Sequence, residues 1–352
     1  MRNYTVGLSL ATALLLTGTG FVAAPTLSRG LRSHNSLAPS YVNWESTEIP
    51  LNSRFVTVDY STIDQYAKNT PESKAANLNS LANYLTAPAR SELAKARSVY
   101  AWITSHVRYD LNAFGNGTYH SEIDYANRTL RSRRAVCTGY SLLFKHLLNK
   151  AGVDVANVKG YSRTEDATAG QPTGPMDHEW NAVKLDGDWY LIDLTWAMTT
   201  GKLGRPNDHY FLTDPQAFVS QHLPADPRWQ LLNPAISKAT FDRFPKLYDA
   251  YFRMGFDGRF PQNGLIRTND VATITFRNDA DLKIVCSAAR PGQNTGQTIP
   301  SSLQRKGDIY TLSVRVPQRG PTTLYVFAKP KTSANAPYRQ YEAIGSFTVV
   351  KG

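Results

Sequence analysis

The chain has 352 residues, 39 Lys and Arg against 28 Asp and Glu for a formal charge of +11, and 41% hydrophobic residues, enough for two ordinary domains with substantial cores. Its two cysteines, Cys137 and Cys286, stand 149 positions apart in stretches of different character, which argues for free thiols rather than a disulfide framework. The positive surface favours anionic partners, such as cell-wall polymers or membrane surfaces, by long-range attraction. No basic run is interleaved with aromatics and no recognition motif occurs, so nucleic acid is not expected.

Residues 1–24 combine Arg2, an apolar run from Val6 to Leu16 and the small-residue segment Phe21–Ala24, the pattern of a secretory signal peptide. The apolar run is short and ends in glycines, so no stable membrane span is expected, although an uncleaved anchor is the alternative. Residues 25–58, rich in Ser, Pro and Asn, form a tether or irregular arm.

Ser61 or Thr62 can cap a short helix through Lys68, and Ser73 a longer one with Leu78, Leu81 and Leu85 at helical spacing. Pro88 opens a third, whose apolar stripe is Leu93, Ala96, Val99, Tyr100, Ile103 and Val107. Asp110–Asn127 lacks periodicity and contains Gly115 and Gly117, so it is expected to be a loop. Arg128, Arg131, Arg133 and Arg134 follow, a cluster whose plain reading is a solvated charge run.

From Val136 a strong helix is expected, with Tyr140, Leu143, Phe144, Leu147 and Leu148 on one face and Gly152 as its stop. Cys137 then lies in the first turn, where free amide groups and the helix dipole favour a thiolate. Val153–Tyr161 looks like a strand and 162–177 like an exposed loop. Glu179–Leu185 and Trp189–Trp196 form a hairpin around Asp186-Gly187-Asp188. With a two-residue turn Leu185 faces Asp188, Asp193 falls opposite Trp180, and His178 is one diagonal step away on the same face; a turn of about four residues keeps that register, and an odd one would separate the pair unless a bulge intervened. An ionised Asp193 inside WYLIDLTW needs a partner, and the imidazole of His178 would serve. His146, nine residues beyond Cys137 on one helix, is roughly 13.5 Å away along the axis and cannot serve that thiol.

A short helical stretch near Phe241–Phe252 closes the first domain, assigned to residues 59–257. Residues 258–352 carry short alternating strands at 271–276, 282–287, 309–316, 322–328 and 343–350, the pattern of a β-sandwich of immunoglobulin-like type. Cys286 sits on one face of such a strand with Leu282 and Ile284, as a small core residue.

Three motifs in this order, RRAVCTGYSLLFKHLLNKAG, DHEWNAVKLDGDWYLIDLTW and HYFLTDPQAF with HLPADPRWQLL, preceded by YAWITSHVRYD, resemble the transglutaminase-like superfamily from about Ser91 to Leu232. Within it they are most similar to the kyphoscoliosis-peptidase-like branch. The resemblance implies an α+β, papain-like core of helices packed on an antiparallel sheet, with Cys137 as nucleophile, His178 as base and Asp193 as orienting acid. It implies a protein or peptide substrate and no cofactor or metal, since no clustered acidic loop for calcium is present. Ala135 departs from the glycine of many members, without loss of a reacting group. The Cys137 N–H is the candidate oxyanion donor, and Trp102 is more simply core.

Two functions follow. One is an exported thiol enzyme acting on peptide or glutamine carboxamide bonds through a thioester, with peptidase slightly favoured over transamidase or deamidase. The other is a surface adaptor that has no use for the three reacting residues. In either, the C-terminal sandwich is expected to dock or present substrate and to be dispensable for turnover of small peptides.

Overall fold

The computed structural model describes residues 42–43, 55, 57–114, 120–291, 293, 296–316, 319–331 and 340–352. The leader at 1–24 and most of the arm at 25–58 lie outside the described residues. Among the described residues no helix is long and apolar enough to cross a membrane.

A two-residue strand, β1 (Val42–Asn43), precedes helices α1 (Ser61–Lys68), α2 (Leu78–Thr86) and α3 (Glu92–His106). The helix expected from Ser73 is only a single 3₁₀ turn at Glu72–Ala75. The α-helix waits for Asn77, whose side chain accepts the Ser80 N–H at 2.9 Å, an N-cap contributing about 1 kcal/mol. Likewise α3 starts after Pro88, where Ser91 accepts the Ala94 N–H at 3.1 Å.

Strand β2 (Arg108–Tyr109) then pairs in parallel with β3 (Arg134–Ala135). Between them lies α4 (Glu122–Ser132), where a loop was expected through Asn127. Ser121 caps it and Glu122 and Asp124 occupy its first turn, while Tyr125, Ala126, Thr129 and Leu130 are buried. These cap and dipole signals override the local polarity.

Helix α5 (Cys137–Lys150) crosses a sheet built from β4 (Val155–Ser162), β5 (His178–Leu185), β6 (Asp188–Ile192), β7 (Phe211–Thr213) and β8 (His222–Pro224). The order is β7-β6-β5-β4-β8, all antiparallel. The β5–β6 turn holds two residues, with Leu185 opposite Asp188 as expected. Asp186 and Gly187 take φ of 52° and 95°, the pair of left-handed residues that a twisted hairpin favours. Alternate residues of β5 go to different cores: Val183 and Leu185 to the one beneath the helices, Trp180 and Ala182 to a smaller one with Val158, Leu191, Phe218 and Leu231. Asp193 lies just beyond β6 and begins α6 (Leu194–Thr200).

Strand β9 (Leu232–Asn233) pairs with β1. The C-terminal sandwich contains β10 (Lys246–Leu247), β11 (Leu265–Thr268), β12 (Val271–Arg277), β13 (Leu282–Ala289), β14 (Gln297–Thr298), β15 (Ser301–Lys306), β16 (Ile309–Arg315), β17 (Gly320–Pro330) and β18 (Glu342–Lys351). One sheet runs β10-β18-β17-β13-β14 with β11 also on β18; the other is β12-β16-β15. Cys286 is buried in the core between them as a free thiol. Packing is continuous across the assigned 257/258 boundary, because Phe241, Phe244, Leu247 and Tyr251 share a core with Phe276, Leu312 and Phe347.

Candidate active site

Cys137 is the first residue of α5, and its predecessor Val136 is extended and offers no side-chain cap. The first-turn N–H groups and the positive helix end therefore act at the half-buried thiol. The helix is fixed to the sheet by Asn181, the last residue of HEWN. Its Nδ2 donates to Ser141 O of α5 at 3.1 Å and to Ala156 O of β4 at 3.3 Å. Asn181 thus ties the element carrying the thiol to the strand carrying His178, a role the sequence did not disclose.

His178, buried at the start of β5, donates from Nε2 to Asp193 Oδ2 at 2.7 Å. The Cys137 thiol lies near enough to act on the same ring, and with Nε2 engaged by Asp193 the nitrogen left open to it is Nδ1. Burial works against the imidazolium, but the Asp193 charge and hydrogen bond, helped by Cys137, hold His178 well above the ordinary imidazole range.

Asp193 is fully buried. As N-cap of α6 it accepts the Thr195 and Trp196 N–H groups on Oδ1 at 2.8 and 3.0 Å. The bland reading, a strand-end acid satisfied by backbone, and the functional reading, a partner for imidazole, are therefore both true, one on each oxygen. Burial raises this carboxyl, yet the His178 charge and the bonds from both histidines more than offset that and hold it below the usual carboxylate range.

The second histidine is His222, at the start of β8. Its Nε2 donates to the same Asp193 Oδ2 at 2.9 Å. Phe218 stacks on its ring at 4.1 Å, and the centroids of Trp196 and Trp180 lie 4.4 and 5.2 Å away. Its Nδ1 is buried without a protein partner, and burial foremost pushes its pKa down. The ring is neutral, with its proton on Nε2. Gly160, paired with both His178 and Pro224, makes this convergence possible: a Cβ there would lie 2.2 Å from Leu223 O and 2.5 Å from the Trp180 ring.

Tyr109 also belongs to the site. It pairs with Ala135, two residues before the thiol, and burial, with the charges of Cys137 and Asp193 adding, pushes its phenol to about 12. Only its place in VRYD hinted at this, as only the motif HLPADP hinted at His222. Trp102 lies in the main core, stacked on His106 at 4.9 Å, and its indole N–H has no partner. Of the basic cluster, Arg133 pairs with Glu72 at 3.0 Å and Arg134 with Asp110 at 2.8 Å.

Ligating atoms of His178, Asp193 and His222 lie within 4.8 Å of one another. The two N···O separations of 2.7 and 2.9 Å suit hydrogen bonds; ligands of a tetrahedral zinc would stand roughly 3.3 Å apart.

Residues 79–194 match the transglutaminase-like superfamily model, and residues 238–351 match the KY-like, immunoglobulin-like domain model. Kyphoscoliosis peptidase of Mus musculus is 32% identical over 272 residues, which cover 75% of this chain and 40% of the relative. Lim and transglutaminase domain protein ltd-1 of Caenorhabditis elegans is 28% identical over 315 residues, covering 79% and 42%. The chain thus spans about two fifths of the length of these relatives. A crystal structure of a TGase aligns with a TM-score of 0.25 at 19% identity over 43% of this chain and 37% of its own, a likeness too slight to argue from. The chain combines a transglutaminase-like domain with a KY-like immunoglobulin-like domain, and so belongs to the kyphoscoliosis-peptidase-like branch of the transglutaminase-like superfamily.

Proposed function

We propose that the protein is an exported thiol enzyme that cleaves or rearranges amide bonds of protein substrates, with Cys137 as nucleophile, His178 as general base and acid, and Asp193 as the orienting carboxylate. The observation that carries this reading is the 2.7 Å hydrogen bond between His178 Nε2 and the buried Asp193 carboxylate, supported by the Cys137 thiol at the start of α5 lying near enough to act on the same ring. Cys137 Sγ attacks the carbonyl carbon, the oxyanion meets the first-turn N–H of α5, and His178 gives its proton to the departing amine as the C–N bond breaks. Water then attacks the thioester with His178 taking its proton, which regenerates the thiol and releases the acid. An amine in place of water would give transamidation instead.

Peptide hydrolysis is favoured over transamidation by the similarity to kyphoscoliosis peptidases, and export by the leader pattern of residues 1–24. The +11 charge would hold the enzyme near anionic surface polymers. A glutamine-containing peptide incubated with and without a primary amine, and followed by mass spectrometry, separates the outcomes. Chain cleavage supports the peptidase, a one-dalton gain deamidation, and an amine adduct crosslinking. No Cys137-dependent product in any arm leaves the adaptor reading.

A further inference from the structure

We infer that the C-terminal immunoglobulin-like domain is a working part of the active site, holding in place the two segments that bring His178 and His222 to Asp193. The inference rests on the proposed roles of Cys137, His178 and Asp193. It replaces the expectation of a separable docking module.

The first segment is 163–177, which joins β4 to β5 and ends on the residue before His178. At its start Arg163 is buried, and its Nη2 donates to Phe241 O at 2.7 Å. Asp166 then accepts from Tyr248 Oη at 2.5 Å and from Ser346 Oγ, on β18, at 2.8 Å, with Lys246 Nζ at 3.3 Å. Thr348 Oγ1, also on β18, donates to Ala167 O at 3.3 Å. Further along, Gly170 N donates to Phe244 O at 2.8 Å. Gly170 has φ +76°, and a Cβ there would fall 2.0 Å from Leu265 N, so backbone lies directly on backbone. Thr173 N donates to Asp242 Oδ1 at 3.1 Å. Asp177 finally closes the loop onto β4 by accepting Ser162 N and Oγ at 2.8 and 2.7 Å.

The second segment leads into β8. Gln221, immediately before His222, accepts from Tyr210 Oη at 3.1 Å and donates to Leu247 O. Leu247 belongs to β10, which pairs with β18 of the sandwich. Val219 and Leu223 are buried in the sandwich core itself.

A connection of this length with little regular secondary structure is ordinarily a mobile element. A displacement of the base by 1 Å can cost on the order of 100-fold in rate. The loop's own bonds, such as Ala169 N to Asp166 O and Gln171 N to Thr168 O, close local turns, and the contacts from 241 to 248 and from β18 fix those turns to the sandwich.

The test uses the full chain with Tyr248→Phe and Ser346→Ala together, which removes both hydroxyl donors to Asp166 from the sandwich side. The expected result is a fall in kcat on a small amide peptide of about tenfold or more with KM little changed, and a matching fall in the rate of Cys137 alkylation at pH 6. Asp166→Asn, which keeps the shape and removes the charge, is expected to act in the same direction and is the variant read if the double substitution fails to fold. A folded variant with wild-type kcat and alkylation overturns the inference, as does failure of both variants to fold, since these contacts would then serve the fold alone. Alkylation of the wild type that is indifferent to His178→Ala instead counts against the proposed function.

Discussion

The starts of β5 and β8 place the same side chain against the same oxygen and obtain opposite results. His178 and His222 both donate Nε2–H to Asp193 Oδ2, at 2.7 and 2.9 Å, and both are buried. His178 is held well above the ordinary imidazole range and His222 below it. The surroundings differ: His178 is raised chiefly by the Asp193 charge with the nearby Cys137 thiol adding to it, whereas burial dominates at His222, the His178 charge opposes a second cation, and Nδ1 faces aromatic surroundings with no partner. One carboxylate can therefore charge one ring while another stays neutral and serves as a fixed donor. Both rings feel the shared acid, and burial together with the neighbouring charges decides which of them is protonated.

The largest break in this comparison is Asp193→Asn, which removes the shared acceptor. Turnover should fall on the order of 10³-fold or more, as when the orienting acid of a triad is replaced. Stability should drop by about 3–5 kcal/mol, because a buried ion pair loses one partner. Denaturant midpoints and initial rates check both.

His222→Phe keeps the aromatic packing and deletes only the donor. We expect kcat to fall about tenfold, in line with one charge-assisted hydrogen bond of about 1.5–3 kcal/mol partly compensated by Oδ1. His222→Gln should recover part of the loss, because its amide N–H can reach the carboxylate. Equal loss in both would make His222 a packing residue.

Tyr109→Phe should be smaller still, a severalfold loss in kcat if the phenol, protonated up to about 12, donates within the site. An unchanged kcat would place it among spectators.

The smallest expected effect is the pH dependence of folding. His209 is depressed by burial to about 4 and His222 is depressed as well. The unfolded chain binds their protons first, so stability should decline as pH falls below about 6.5. His178 has the opposite sign: its contribution is present below about 6.5 and fades as pH rises through its raised folded value. Asp193 contributes above about 3.9 and loses that contribution on acidification. Thermal melts of His209→Gln should show a flatter acid limb than wild type.

The residues meeting at the site were legible where the signal is local. Cys137 could be placed at a helix start because the apolar face from Tyr140 to Leu148 is strongly periodic, and the His178–Asp193 approach because any even turn between the two strands puts them on one face, the two-residue turn at Asp186-Gly187 being one such. His222 was not legible as a partner, because it arrives through the long-range pairing of β4 with β8 and a three-residue strand has no pattern. Helix α4 was obscured by Gly115 and Gly117 ahead of its cap, and β15 by a sequence, SSLQRK, in which Leu303 is the sole apolar residue. The attachment of 163–177 to the sandwich is made by backbone carbonyls and single polar side chains from distant segments, which no periodicity encodes.

The most direct measurement is the rate of Cys137 alkylation by iodoacetamide across pH 5 to 9 in wild type and in His178→Ala. Rapid labelling that persists well below pH 8 in wild type, and is lost in the variant, is the predicted result. Slow labelling with the same profile in both proteins would contradict a thiol activated by His178 and leave only the scaffold.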